Sequence, residues 1–174
     1  MFEEGTFSDI TISIPGTANG DPGQELELHR NVLAHSCEYF RGMLTSPCRE
    51  ADFDAVIAIK ETTPAAFRAL LTYLYTDELA LDDATVIDVL RKAQEFDLTR
   101  AYNMCMRYCV KCVSPSNAVG WLIRAELCHL DELRGVVLGY VKRKFRTIRD
   151  EAAASLAELR AHPDLMLEVM VHAI

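Results

Sequence analysis

Three stretches decide the fold: SDITISI at residues 8–14, LELHRNVLAHSCEYFRGMLTS at 26–46 and AVIAIKETTPAAFRALLTYLYT at 55–76. In the first, Ile10, Ile12 and Ile14 alternate with Thr11 and Ser13, the period-two pattern of a strand buried on one face. Pro15 to Gly23 (PGTANGDPG) interrupts it with turn residues, and Leu26 and Leu28 resume it in a second strand. His29-Arg30 then opens a helix, and Ala55 to Ile59 supplies a third strand enriched in β-branched residues. Thr63-Pro64 is an N-cap followed by a first-turn proline. Beyond it Phe67, Leu70, Leu71 and Leu74 recur at i, i+3, i+4, i+7 and line one helical face.

From there the pattern stays helical. A helix is expected to start near Asp82-Asp83 and bury Val86, Val89, Leu90 and Ala93; Leu98 opens another, carrying Ala101, Cys105, Tyr108, Cys109 and Cys112. Ser114-Pro115 repeats the cap-plus-proline signal and marks a domain boundary. A shift of 32 residues lays Leu90, Ala93, Phe96, Leu98, Ala101, Cys105, Tyr108 and Cys109 onto Leu122, Ala125, Cys128, Leu130, Leu133, Val137, Tyr140 and Val141. Two consecutive helix pairs therefore share one apolar template, by repetition or by convergence on a common hairpin pattern. Glu151 to Arg160 is expected to form a further helix, and Pro163 to Ile174 a last one with Leu167, Met170, Val171 and Ile174 facing inward.

Bulk properties limit the class. At 174 residues, 50% hydrophobic and a mean hydropathy of +0.05, the chain can bury one or two compact cores. A formal charge of −8 and a pI near 5.1 argue against a phosphate-binding surface, which needs clustered Lys and Arg. No apolar run approaches the roughly 20 residues that span a bilayer, and the acidic start MFEEGTFSD lacks the apolar core of a signal peptide. Most of the six cysteines fall on expected helices, so reduced thiols and a cytoplasmic or nuclear setting are expected.

The ordered blocks from Ser8 to about Cys112 resemble a BTB/POZ domain. VSPSNAVGWLIRAELCHLDELRGVVLGYVKRKF and AHPDLMLEVM are similar to a short BACK region, the helical extension of cullin-3 adaptors of the speckle-type POZ and MATH-BTB kind. The resemblance implies an α+β chain: a BTB/POZ fold, a small mixed sheet flanked by helices, over residues 6–112, then an all-α BACK-like extension over 113–174. It also implies a homodimer with a charged pocket near its axis, in which Asp9 and Arg30 occupy the family's acidic and basic positions. Such a pair fixes geometry more than it adds stability; Asp9 capping a turn and Arg30 in water is the other reading.

A two-fold dimer presents one self-complementary apolar patch. Ile10 of the first strand and Leu33, Tyr39, Phe40 and Met43 of the first helices are its candidates; Leu33 and Phe40 also read as core of the single chain. After Met43 and Leu44, the resemblance implies a cullin-binding loop with a hydrophobic-x-Glu motif, whose best match is Cys48-Arg49-Glu50. One apolar anchor with one orienting carboxylate makes a small hot spot, although cysteine is a smaller anchor than is usual, and the stretch also reads as an acidic surface loop.

Other chemistry fits poorly. Cys105, Cys109 and Cys112 share a helical face near Cys128 and His129, but one straight helix cannot close a zinc tetrahedron. Cys105 and Cys109 align instead with Val137 and Val141, as buried thiols acting as small hydrophobes do. His29, His35 and Cys37 lack the orienting group and oxyanion hole of a nucleophilic site, and no Gly-rich loop or nucleophile elbow occurs. Lys142, Arg143, Lys144 and Arg146 spread round a helix and read as a solvated face. The expectation is a non-enzyme that binds cullin-3 and itself, with no metal, cofactor, nucleic acid, membrane or small-molecule substrate. The alternative is a self-association scaffold without a cullin.

Overall fold

A computed structural model describes residues 7–16, 23–45 and 56–171. The chain divides into two compact units, residues 1–104 and 105–174. The first opens with β1 (Ile10–Ile14) and β2 (Gln24–Leu28), paired antiparallel with Ile10 opposite Leu28 and Ile12 opposite Leu26. After α1 (Arg30–Ser36) and α2 (Glu38–Thr45), β3 (Val56–Ala58) returns parallel to β1, giving the sheet order β2-β1-β3. Parallel pairing demands a crossover, which α1 and α2 supply. The alternation then does its work: Ile10, Ile12, Ile14, Leu26, Leu28 and Ile57 all turn into the core.

Helix α3 (Pro64–Thr76) starts as its sequence dictates, with the Thr63 hydroxyl accepting from the Ala66 N–H at 3.2 Å and Pro64 in the first turn. Phe67, Leu70, Leu71 and Leu74 are buried. Before α4 (Val86–Glu95), the Asp82 carboxylate accepts from the Ala84 and Thr85 N–H groups at 2.9 and 2.8 Å. These bonds hold the Asp82 carboxyl below its ordinary pKa. Helix α5 (Thr99–Cys112) runs across the division between the units.

The second unit contains α6 (Ala118–Leu127), α7 (Asp131–Glu151), α8 (Ala153–Glu158), a 3-10 turn (Leu159–Ala161) and α9 (Pro163–Met170). The 32-residue register recurs in its backbone. Helices α4 and α6 both end in a Schellman motif: Asp97 N–H bonds Gln94 and Leu98 N–H bonds Ala93, as His129 bonds Glu126 and Leu130 bonds Ala125. Asp97 and His129 take the left-handed conformation at φ 55° and 53°.

The last helix corrects the sequence reading. Leu165 and Val169 are its buried residues, whereas Leu167, Met170 and Val171 are 62%, 45% and 69% exposed, and Ile174 lies outside the described residues. Residues 165 and 169 are one turn apart on one stripe; 167 points about 200° away at roughly 100° per residue, so it cannot share that stripe. Arg134 fixes the orientation by pairing with Glu126 of α6 and Glu168 of α9.

Candidate functional site

The charged positions of the first unit meet where β1, β2 and α1 converge. The Asp9 N–H donates to the Leu28 carbonyl at 3.0 Å, extending the β1–β2 ladder by one rung. That places the Asp9 carboxylate under the first turn of α1, where it accepts from the Arg30 N–H at 2.7 Å. The Arg30 guanidinium returns the contact, its Nε donating to the Asp9 carbonyl at 3.1 Å. His29, the N-cap residue of α1, makes no side-chain cap bond, so Asp9 supplies from the strand the acceptor that an Asn or Ser cap supplies elsewhere. The carboxylate also lies at the positive end of the helix dipole.

Tyr75 closes this corner from α3. Its hydroxyl accepts from the His29 N–H at 3.0 Å and lies 3.1 Å from His29 Nδ1. Burial raises the Tyr75 hydroxyl pKa, the His29 N–H opposes the shift, and the Asp9 charge adds to it. The hydroxyl is therefore a neutral hydrogen-bonding group at physiological pH. Beside it, an open polar cleft of about 470 Å3 is lined by His35 and Ser36 at the end of α1 and by Tyr73 to Asp77 at the end of α3.

The expected interface residues separate into two depths. Ile10 and Leu33 are buried in the chain itself and support the surface from beneath. Tyr39, Met43 and Leu44 are half-buried along α2 and reach the surface. Tyr39 is held flat on Phe96 (ring centroids 4.5 Å apart, 29°) and edge-on to Phe40 at 5.5 Å. Buried Lys92 lies 5.8 Å from the Phe96 ring and pairs with Glu95. Arg41 pins the start of α2 against α1, reaching the Ala34 carbonyl at 2.9 Å and Glu38 at 2.6 Å. Cys48, Arg49 and Glu50 lie outside the described residues.

The thiols have the character expected of core residues. Cys37 is buried with its Sγ 3.7 Å from the Phe96 carbonyl, and burial raises its pKa. Burial pushes Cys105 up to about 12, with neighbouring Cys109 adding to the effect. Such thiols are protonated and poor nucleophiles at neutral pH. Among the described residues, no three His, Cys, Asp or Glu side chains gather as a metal site requires. No described helix is long and apolar enough to cross a membrane.

Sequence reasoning placed Asp9 and Arg30 together but missed Tyr75 and Phe96. Tyr75 is 46 residues from His29 and ends an ordinary amphipathic helix, so no local signal marks it. Phe96 was read only as a position in the helical register.

The pattern of the BTB/POZ domain family matches residues 1–112. The chain is 28% identical over 151 residues to the human Kelch repeat and BTB domain-containing protein 8, covering 87% of this chain and 24% of that protein. It is 26% identical over 170 residues to the human Kelch repeat and BTB domain-containing protein 2, covering 98% and 25%. Against rat Kelch-like protein 38 it is 32% identical over 110 residues, covering 63% and 19%. The chain thus spans about a quarter or less of the length of these relatives. Their names carry Kelch rather than MATH, which moves the expected likeness from the speckle-type POZ kind to the Kelch-BTB kind.

Proposed function

This chain belongs to the BTB/POZ family, and from that premise we propose that it is a homodimeric adaptor that brings a client protein to a cullin-3 ubiquitin ligase. A BTB/POZ domain is a protein-interaction module, and the observation that carries the finer reading is its continuation. Likeness to a Kelch-BTB protein runs through 98% of the chain, well past residue 112, into helices α6 and α7, which supports reading them as a BACK-like extension. In this reading the BTB/POZ domain covers residues 6–112 and the BACK-like helices 113–174.

Each part has a physical role. Asp9 and Arg30, locked to each other's backbones, hold the start of α1 and the surface around it in one geometry. Tyr39 and Met43 on the adjoining face are the apolar contacts to a second copy, with Ile10 and Leu33 behind them. Leu44 and the Cys48-Arg49-Glu50 stretch supply the cullin contact, the thiol as a small apolar anchor and Glu50 as its orienting charge. A dimer carries two such arms, so two weak client contacts gain by effective concentration. The module transfers no ubiquitin itself and works in the cytoplasm or nucleus, where its thiols stay reduced.

Titration calorimetry with the isolated N-terminal domain of cullin-3 tests the proposal. Saturable heat, lost when Cys48 and Glu50 are both replaced by alanine, is the expected result. Absence of heat at tens of micromolar, with the dimer intact, would leave the chain as a self-association scaffold instead.

A further inference from the structure

One helix of the second unit concentrates positive charge that the surface described above does not use. Helix α7 carries Lys142, Arg143, Lys144, Arg146 and Arg149 within eight residues. Val141 and Ile148 turn into the core, Lys142 is half-buried, and the other four cations are exposed. Arg143 reaches back over Gly139, where a Cβ would lie 3.4 Å from its guanidinium. Within the run the helix breaks at Lys144, at φ −107° and ψ 16°. Arg146 stands three or four residues from Lys142, Arg143 and Arg149, and like charges at that spacing destabilise a helix.

The chain supplies little to balance this run. Between Glu132 and Glu158 its acids are Asp150 and Glu151 alone. Asp150 pairs with Arg149, and among the described residues Lys142, Arg143, Lys144 and Arg146 enter no ion pair. Ten of the chain's 18 Lys and Arg fall in residues 105–174, against eight of its 26 Asp and Glu, so this unit departs in sign from a chain of net charge −8. Charge and exposure narrow the occupant. Phe145 is half-buried and Val141 and Ile148 are buried, so the run exposes no large apolar side chain to enter a bilayer. A long nucleic acid must approach the whole acidic chain, whereas a short acidic peptide need only meet these cations. Arginine's planar fork favours carboxylates, which meet it bidentately.

We propose that the exposed run on α7 docks a short acidic segment of a partner protein, which sets two carboxylates on Arg143 and Arg146. The site shares no residue with the α1–α2 face or the 43–52 loop, so its failure would leave the cullin reading standing.

Fluorescence anisotropy on the whole chain tests it, with a labelled nine-residue peptide carrying four glutamates. Binding should saturate, weaken with added salt, and fall about tenfold in each of Arg143→Gln and Arg146→Gln, the size of one charge-assisted contact. Both side chains are exposed, so the variants leave the core intact, which circular dichroism checks. Equal binding of the same peptide with glutamines in place of its glutamates would overturn the proposal. So would wild-type binding by the Arg143→Gln, Arg146→Gln double variant, tighter binding of phosphatidylserine vesicles or of a nine-nucleotide DNA strand, or no anisotropy change at millimolar chain.

Discussion

The Asp9 carboxylate accepts the Arg30 N–H at 2.7 Å while Arg30 Nε donates to the Asp9 carbonyl at 3.1 Å, so each side chain is satisfied by the other residue's backbone. The two residues act as a clasp between the start of β1 and the start of α1. Asp9→Ala should cost about 1 kcal/mol, the usual value of a helix cap. Asp9→Asn retains the oxygen acceptor and should cost less, leaving the loss of charge at the helix N-terminus as the difference. Urea unfolding of the three proteins separates these effects; equal stability of wild type and Asp9→Ala would show the clasp to be idle.

Acid should weaken the turn before α4 in a predictable direction. Thr85 and Ala84 N–H groups stabilise the ionised Asp82 carboxylate, so its folded pKa lies below the unfolded one. Its contribution is therefore complete above the unfolded pKa of about 3.9 and disappears as pH falls through the folded value. Asp82→Ala should be less stable than wild type at pH 7, by about 1 kcal/mol, and the gap should close below pH ~4. A gap independent of pH would assign the effect to packing instead.

Both left-handed helix ends invite glycine. A non-glycine residue there carries strain of about 1–2 kcal/mol, and Asp97 and His129 are both exposed and free to lose their side chains without opening a cavity. His129→Gly and Asp97→Gly should each raise stability by about 0.5–1 kcal/mol, part of the strain being offset by glycine's greater entropy loss. Thermal denaturation checks it; a lowered midpoint for either would mean that the side chain contributes more than its backbone costs.

Thiol labelling should follow burial. Cys112 and Cys128 are half-buried, whereas Cys37, Cys105 and Cys109 are buried, with the pKa of Cys37 raised and that of Cys105 pushed up to about 12. At pH 8 iodoacetamide should modify the first pair in the native protein and reach the other three only in denaturant. Mass spectrometry of peptides from briefly labelled protein reads this directly, and early modification of Cys105 would contradict the burial.

The legible and illegible parts of this molecule differ for physical reasons. Isoleucines 10, 12 and 14 could only be a one-sided strand, and Thr63-Pro64 could hardly be anything but a helix start. The 32-residue register held down to the carbonyls that Leu98 and Leu130 bond, because a helical hairpin's ends are fixed by the same local chemistry that sets its apolar stripe. Helix α9 defeated periodicity since Leu165, Met166, Leu167, Val169, Met170 and Val171 surround it, and packing against α7 and the 3-10 turn, with Arg134 paired to Glu168, decides that Leu165 and Val169 turn inward. The α7 break at Lys144 has neither proline nor glycine to announce it. Of the charged corner, the meeting of Asp9 with Arg30 was readable through family likeness, but Tyr75 joins it, and Phe96 backs Tyr39, through tertiary contacts that no local pattern encodes.

Light scattering on a size-exclusion column, run on an equimolar mixture with the cullin-3 N-terminal domain, bears most directly on the adaptor reading. The account predicts one peak whose mass equals two copies of the 19.5 kDa chain plus two cullin domains. A chain that elutes alone at 19.5 kDa, well folded and apart from the cullin domain, would contradict it.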